Sequence, residues 1–80
     1  MNGQDARAAV HRAINQVAPD VGPEDLEAGA RLRQDLELDS LDFLRLVETI
    51  DTSTGVSIPE RDYPQVSTVG GLIDYVTAHG

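Results

Sequence analysis

One serine in an acidic segment is the residue of this sequence best placed for chemistry. Ser40 lies within the run Asp35-Leu36-Glu37-Leu38-Asp39-Ser40-Leu41-Asp42, where an acidic loop becomes an amphipathic helix. No histidine, lysine or cysteine lies nearby in sequence, and a serine without a base is a poor nucleophile. Another enzyme can supply that base. The pattern therefore predicts that Ser40 is modified and carries a cofactor, rather than acting as a catalyst.

The elements that must position Ser40 are a helix after it and a long loop before it. Residues 40–53 are predicted to be helical and to end near Gly55. Residues 19–39 contain several Pro and Gly residues and are predicted to form a loop, which at this length is usually functional or anchored. The predicted anchors of this loop to the core are Leu26, Leu32 and Leu36.

Two more helices complete the predicted architecture. Residues 5–18 have apolar residues at helical spacing and end before Pro19. Thr68 is a good N-cap for a last helix. The segment 56–66 contains two prolines, so its pattern predicts a short turn at most. The apolar positions are Ala6, Val10, Ala13, Ile14 and Val17 in the first helix, and Val69, Leu72, Ile73 and Val76 in the last. The predicted fold is a small all-α bundle with one long first loop.

The helix after Ser40 has two distinct faces. Its predicted core face consists of Phe43, Leu46, Val47 and Ile50. Away from the centre of that face lie Leu41 and Leu44, beside Arg45 and Glu48. Isolated surface leucines are ordinary in proteins, so this second face has two interpretations. It is either plain solvent-exposed surface or a mixed apolar and charged surface on which partners dock.

Composition limits the classes of partner. The chain has 80 residues, no cysteine, a hydrophobic fraction of 40% and a formal net charge of −8. This charge argues against nucleic acid and anionic membranes, and favours protein partners with basic patches. Residues 1–11 contain no apolar signal region, and no apolar run is long enough to span a bilayer. We expect a single domain over residues 1–80 that is monomeric, soluble and cytoplasmic.

The whole pattern resembles the acyl carrier proteins. The stretch Leu32-Arg33-Gln34-Asp35-Leu36-Glu37-Leu38-Asp39-Ser40-Leu41-Asp42 is similar to their prosthetic-group site. Downstream, Ile58-Pro59-Glu60 and Ser67-Thr68-Val69-Gly70-Gly71-Leu72-Ile73-Asp74-Tyr75-Val76 resemble their third and fourth helical segments. The resemblance covers nearly the whole chain, and it implies the four-helix carrier bundle with a short third helix.

This resemblance also implies a function. Ser40, flanked by Asp39 and Leu41, would accept a 4′-phosphopantetheine arm from coenzyme A through a separate magnesium-dependent phosphopantetheinyl transferase. The thiol of the arm would carry an acyl group as a thioester, while the protein itself would not be an enzyme. Partners that load or use the acyl group would dock through basic patches. The docking residues implied on this chain are Asp42, Leu44, Arg45 and Glu48.

The sequence departs from the family pattern at several positions. Glu37-Leu38 stands where the family often has glycine, so a different loop geometry is expected. Arg45 occupies a position that is acidic in many fatty-acid carriers, which argues against free interchange with general fatty-acid enzymes. Phe43 and Thr54 replace a smaller and a more apolar residue. If both face one cargo pocket, short or polar cargo is expected over long saturated chains, because a buried hydroxyl needs a partner.

Other interpretations remain. Asp39–Ser40 could be only an N-cap, and a capping box is not predicted because position 43 is Phe rather than Glu. Asp35, Glu37 and Asp39 alternate as in a calcium loop, but Gly at the sixth position and Glu at the twelfth are missing. The chain could also be an unmodified interaction module or an aminoacyl or peptidyl carrier. No catalytic or ligand role is predicted for His11, His79, Tyr63 and Tyr75.

Overall fold

Three α-helices and two 3₁₀ helices form the protein. The structure, a computed structural model, describes residues 1–80. Its α-helices are α1 (Gly3–Val17), α2 (Ser40–Thr54) and α3 (Val69–His79), and a 3₁₀ helix spans Glu60–Val66. α1 packs against both α2 and α3, and the 3₁₀ helix packs against α3. The predicted all-α bundle with a long first loop and a short third helix is confirmed. None of the helices has both the length and the apolar composition that crossing a bilayer requires.

The ends of the helices follow from their caps. α1 begins two residues before the predicted Asp5, because the Asn2 side chain accepts a hydrogen bond from the Asp5 N–H (2.8 Å) and so caps the helix at Gly3. α2 ends at Thr54, where Gly55 takes the left-handed conformation (φ 77°) that terminates helices. Thr68 caps α3 as predicted, and its hydroxyl accepts from the Gly71 N–H at 2.9 Å.

The core consists of apolar residues and Tyr75, and no charged group is buried. Within the predicted helical faces, Val17, Val47 and Ile73 are only half-buried, and the other members are buried. Tyr75 joins the core from α3, and Tyr63 packs against its edge. The buried residues are Ala6, Val10, Ala13, Ile14, Leu26, Leu32, Leu36, Leu38, Phe43, Leu46, Ile50, Val56, Ile58, Val66, Val69, Leu72, Tyr75 and Val76.

The long first loop is fixed to the rest of the molecule. Its predicted anchors Leu26, Leu32 and Leu36 are all buried. Its backbone also bonds to the start of α3, since the Leu32 N–H donates to the Ser67 carbonyl at 2.9 Å. A single turn of 3₁₀ helix at Pro23–Asp25 shortens the irregular part. The loop before Ser40 is therefore an ordered part of the fold.

Close packing at Gly70 strengthens this attachment. The Gly70 N–H donates to the Ala28 carbonyl at 2.8 Å. A side chain at residue 70 would place its Cβ 2.8 Å from that same carbonyl oxygen, closer than carbon and oxygen approach without a bond. Glycine at this position lets the loop backbone reach the first turn of α3.

The segment between α2 and α3 holds more structure than its sequence predicts. The expectation of a short turn at most over residues 56–66 is wrong, because the 3₁₀ helix Glu60–Val66 is seven residues long and includes Pro64. A tertiary contact stabilises it: the Tyr75 hydroxyl donates a 2.7 Å hydrogen bond to the Asp62 carboxylate. This hydrogen bond, followed by burial of the phenol, raises the pKa of Tyr75 above its ordinary value.

Candidate functional site

Ser40 is the first residue of α2, and its side chain is exposed. The preceding residue, Asp39, is the N-cap, and its carboxylate accepts a hydrogen bond from the Asp42 N–H at 2.8 Å. The Asp42 carboxylate in turn receives a long contact of 3.5 Å from the Asp39 N–H. The expectation that a capping box is absent is therefore wrong: the cap is Asp39, so the third helical residue is Asp42 and not Phe43. The Ser40 hydroxyl remains free of the capping contacts.

The loop before Ser40 has a constrained backbone. Glu37 has a φ of 60°, and it is the one non-glycine residue with a positive φ. This left-handed conformation is the geometry that glycine adopts without strain. It allows the Leu38 N–H to reach the Leu32 carbonyl at 3.2 Å, and it buries the Leu38 side chain. Glu37 thus takes a glycine-like conformation at the position where the sequence lacks a glycine.

The loop before Ser40 also contains an ion pair, between Arg31 and Asp35. Arg31 donates to the Asp35 carboxylate from its backbone N–H (2.8 Å) and from two guanidinium nitrogens (3.1 Å each). The side-chain and backbone hydrogen bonds from Arg31 hold the pKa of the Asp35 carboxyl below its ordinary value. The Asp35 carboxylate is therefore satisfied within the loop, and that of Asp39 caps α2. No group of His, Cys, Asp or Glu side chains is arranged to hold a metal ion.

The one side chain that hydrogen-bonds the Ser40 hydroxyl is Arg33. Its Nη2 lies 3.2 Å from the Ser40 Oγ. An arginine keeps its proton in proteins and cannot act as a general base, so Ser40 still has no group on this chain to activate it. A phosphate ester at Oγ would form beside a permanent positive charge, which suits phosphopantetheine. The local sequence pattern does not predict this contact, and the one signal for it is an arginine, Arg33, within an acidic loop.

A surface cavity of about 280 Å³ opens beside this contact. Phe43 and Tyr63 form one wall, with their rings edge to face (centroids 5.1 Å apart, planes at 80°). Arg33, which contacts Ser40, also lines the cavity. The complete lining consists of Leu32, Arg33, Gln34, Phe43, Tyr63, Pro64 and Ser67. The site therefore joins an exposed hydroxyl to a cleft with both aromatic and polar walls.

Phe43 and Thr54 do not share a pocket, so the premise that they reshape one cargo cavity together is wrong. Thr54 lines a different depression, between α1 and the second half of α2. Its hydroxyl donates to the Ile50 carbonyl at 2.7 Å and accepts from the Val56 N–H at 3.2 Å, so it has partners already. The two residues are three helical turns apart on α2, which separates the regions that they contact.

The other residues of the expected site lie along the exposed side of α2. Leu41 is 70% exposed and Leu44 is 44% exposed, and they are the two exposed large hydrophobic residues of the helices. Arg45 and Glu48 are exposed and form no ion pair, and Asp42 is half-buried by its capping contact. The structure thus brings two exposed leucines and two unpaired charges together within the eight residues that follow Ser40.

The histidines lie away from these contacts. His79 stacks on Tyr75 at the end of α3, with the ring centroids 4.1 Å apart. His11 is on α1, where partial burial, followed by the charge of Arg7, lowers its pKa. Neither histidine hydrogen-bonds Ser40, so the structure gives the hydroxyl no base.

Comparisons with known proteins agree with this geometry. Residues 8–76 match the family described as "Phosphopantetheine attachment site". An acyl carrier protein of Rubrobacter xylanophilus is 30% identical over 76 residues, covering 91% of this chain and 94% of that protein. An acyl carrier protein of Chlamydia trachomatis is 37% identical over 59 residues, covering 74% and 77% respectively. One of Chlamydia muridarum is 38% identical over 56 residues, covering 70% and 73%. The chain therefore belongs to the acyl carrier protein family, non-catalytic carriers that hold a covalently attached 4′-phosphopantetheine and serve partner enzymes.

Proposed function

We propose that this chain carries acyl groups on a 4′-phosphopantetheine arm attached to Ser40. The observation that carries the proposal is the position of the Ser40 hydroxyl: it is exposed at the first residue of α2, and the capping role belongs to Asp39. When bound, the group supplies a thiol that holds the acyl chain as a thioester. We further propose that residues 1–80 act as one monomeric carrier domain.

The residues around Ser40 favour a phosphate ester there. The first turn of α2 presents backbone N–H groups and the positive end of the helix dipole, which stabilise an anion. Asp39 holds this turn in place through its cap, and exposed Leu41 follows Ser40 directly. Since no residue on this chain can take the hydroxyl proton, the base must come from a phosphopantetheinyl transferase. That enzyme is the first partner that we propose.

The direct test is an intact mass after modification. The apo protein is incubated with coenzyme A, magnesium and a broad-specificity phosphopantetheinyl transferase. We expect a gain of one phosphopantetheine in the wild type and in Ser57→Ala, a control that removes another exposed serine, but none in Ser40→Ala. A wild type that several transferases leave unmodified would instead support an unmodified interaction module.

The exposed side of α2 is our proposed docking surface, made of Leu41, Asp42, Leu44, Arg45 and Glu48. Its support is the exposure of the two leucines directly after the modified residue, beside charges that form no ion pair within the chain. Acidic carriers attract basic patches on partners through long-range electrostatics. The partners proposed are enzymes that load or use the acyl group and that carry such patches.

Arg45 is the residue of this surface that we expect to select among partners. Arg45→Glu should make the surface uniformly acidic and improve acceptance by general fatty-acid enzymes, with a change in stability within about 0.5 kcal/mol because the site is exposed. Arg12→Glu, the same charge reversal on an exposed residue of α1, is the control. The specificity proposal fails if both variants and the wild type are equally active with cognate and general enzymes.

The pathway is proposed only as far as fatty-acid, polyketide or a related specialised route, with an aminoacyl or peptidyl cargo as the alternative. For the cargo we still propose short or polar acyl groups. The support is Phe43, which with Tyr63 forms one wall of the cavity beside Ser40, together with the polar Gln34 and Ser67 that also line it. Holo protein loaded with acyl chains of increasing length should show amide shifts at Leu46 that stop changing at short chains. Shifts that keep growing through long chains would contradict this proposal.

A further inference from the structure

Arg33 is a cation that the protein leaves without a counter-charge. The chain has six arginines and a net charge of −8, yet Arg31–Asp35 is its one ion pair. Arg33 lies two residues after Arg31 in the same acidic loop and pairs with no carboxylate. Its guanidinium instead hydrogen-bonds the neutral Ser40 hydroxyl at 3.2 Å. Four other arginines also form no ion pair, but Arg33 is the one whose guanidinium contacts Ser40, so a phosphate attached to that hydroxyl would lie within its reach.

The covalent bond between the phosphate and Ser40 would place an anion beside Arg33. In a phosphopantetheinylated protein the phosphorus is bonded directly to the Ser40 Oγ, so the charged phosphate oxygens lie two bonds beyond the atom that Arg33 already contacts. A guanidinium matches phosphate oxygens with two parallel N–H donors and stays charged at all relevant pH values. Arg33 therefore needs only a small side-chain rotation to bind the phosphodiester.

Arg33 also lies on the wall of the cavity formed by Phe43 and Tyr63. We propose that Arg33 is a positioning residue for the arm: its guanidinium binds the phosphodiester at Ser40 and so directs the arm over this cavity, instead of leaving it free in solvent. This inference rests on the proposed modification of Ser40. Arg33 would affect where the arm lies, but not whether the arm carries an acyl group.

The effect should be modest and sensitive to salt. Exposed ion pairs contribute little, so the arm should favour the anchored position by about fivefold at most. An anchored arm still detaches readily, as a carrier requires when it delivers cargo to a partner. At about 1 M salt, exposed charges are screened over a few ångströms, so the preference should largely disappear.

Nuclear magnetic resonance of the holo protein tests this inference without any enzyme assay. Wild type, Arg33→Gln, Arg33→Lys and the control Arg12→Gln are each modified, and the gain of one phosphopantetheine is verified by intact mass. The ³¹P resonance of the diester is then recorded, with the amide shifts of Phe43, Tyr63 and Ser67 between apo and holo forms, at low and high salt.

We expect these amide shifts to be at least about twofold smaller in Arg33→Gln than in wild type and unchanged in Arg12→Gln, with high salt reducing the wild-type shifts. The ³¹P resonance should move only in the Arg33 variants. Arg33→Lys should restore part of the effect, since lysine supplies the positive charge but lacks the two parallel N–H donors of a guanidinium. Wild-type spectra in a fully modified Arg33→Gln protein would overturn the inference and leave the proposed function standing. A wild type that takes no phosphopantetheine would overturn both.

Discussion

Replacing Glu37 by glycine should stabilise the protein, although glycine usually destabilises. Glu37 holds the left-handed backbone (φ 60°) in the loop that leads to Ser40. A side chain at this φ crowds the following carbonyl oxygen, and glycine has no Cβ to crowd it. The Glu37 side chain is exposed and makes no hydrogen bond, so its removal costs no contact.

The size of the effect is a difference between two terms. The left-handed conformation costs a residue with a side chain about 1–2 kcal/mol. Glycine removes this cost but loses more backbone freedom on folding, which costs about 0.5–1 kcal/mol. The difference is about 0–1.5 kcal/mol, so the expected gain in the free energy of unfolding is about 0.75 kcal/mol at the middle of that range. In a domain of this size this midpoint corresponds to a rise of about 3–6 °C in Tm.

The assay is urea and thermal unfolding followed by circular dichroism, with Glu27→Gly as the matched control. Glu27 is also an exposed loop glutamate, and its φ is not positive, so the control removes the same charge without relieving strain. We expect Glu27→Gly to lose about 0.4–1 kcal/mol, because glycine there only adds freedom to the unfolded chain. The reasoning is refuted if Glu37→Gly loses as much stability as this control does.

Three further predictions concern charge and capping. Asp39→Ala should lower the free energy of unfolding by about 1 kcal/mol because it removes the N-cap of α2. Asp42→Ala should lower it less, because the contact from the Asp39 N–H to the Asp42 carboxylate is long. Chemical denaturation of both variants would test this order. The pKa of Asp35 is lower in the folded protein than in the unfolded chain. The ionised Asp35 therefore stabilises the fold fully at pH above the ordinary carboxyl pKa, and this stabilisation is lost as the pH falls through the lower pKa of the folded state. Unfolding free energies measured below about pH 4 should therefore fall more steeply in wild type than in Asp35→Asn. Thermal midpoints should rise from low to moderate salt, and slightly more with magnesium, because added ions screen the repulsion among the acidic residues of a protein with a net charge of −8. Midpoints that do not change with salt would contradict this account.

Local patterns predicted the α-helices well. The apolar spacing that defines each core face is a property of a single helix, as are the Thr68 cap and the Gly55 stop, so all three can be found without knowing the tertiary structure. Apolar spacing alone places the start of α1 two residues too late, since it does not include the Asn2 cap. The capping box appears only when Asp39, and not Ser40, is taken as the cap, because the third helical residue is then Asp42 and not Phe43.

The 3₁₀ helix between α2 and α3 shows where such patterns stop being sufficient. Its two prolines, Pro59 and Pro64, argue against regular structure when only neighbouring residues are considered. The helix is stabilised by Tyr75, thirteen residues away from Asp62, and the strength of a hydrogen bond between such distant residues depends on how the helices pack. No local pattern contains that information.

Three features of the site follow from the order of the residues: an acidic loop ends at a serine, this serine begins a helix, and two leucines lie off the core face of that helix. These features depend on composition and on a fixed helical period. Three others depend on how the chain packs: Arg33 contacts Ser40, Phe43 and Tyr63 form a wall beside it, and Thr54 lies in a separate depression. Long-range contacts set the path of an irregular loop, here the buried leucines and the backbone bonds to α3, and they therefore decide which side chains meet.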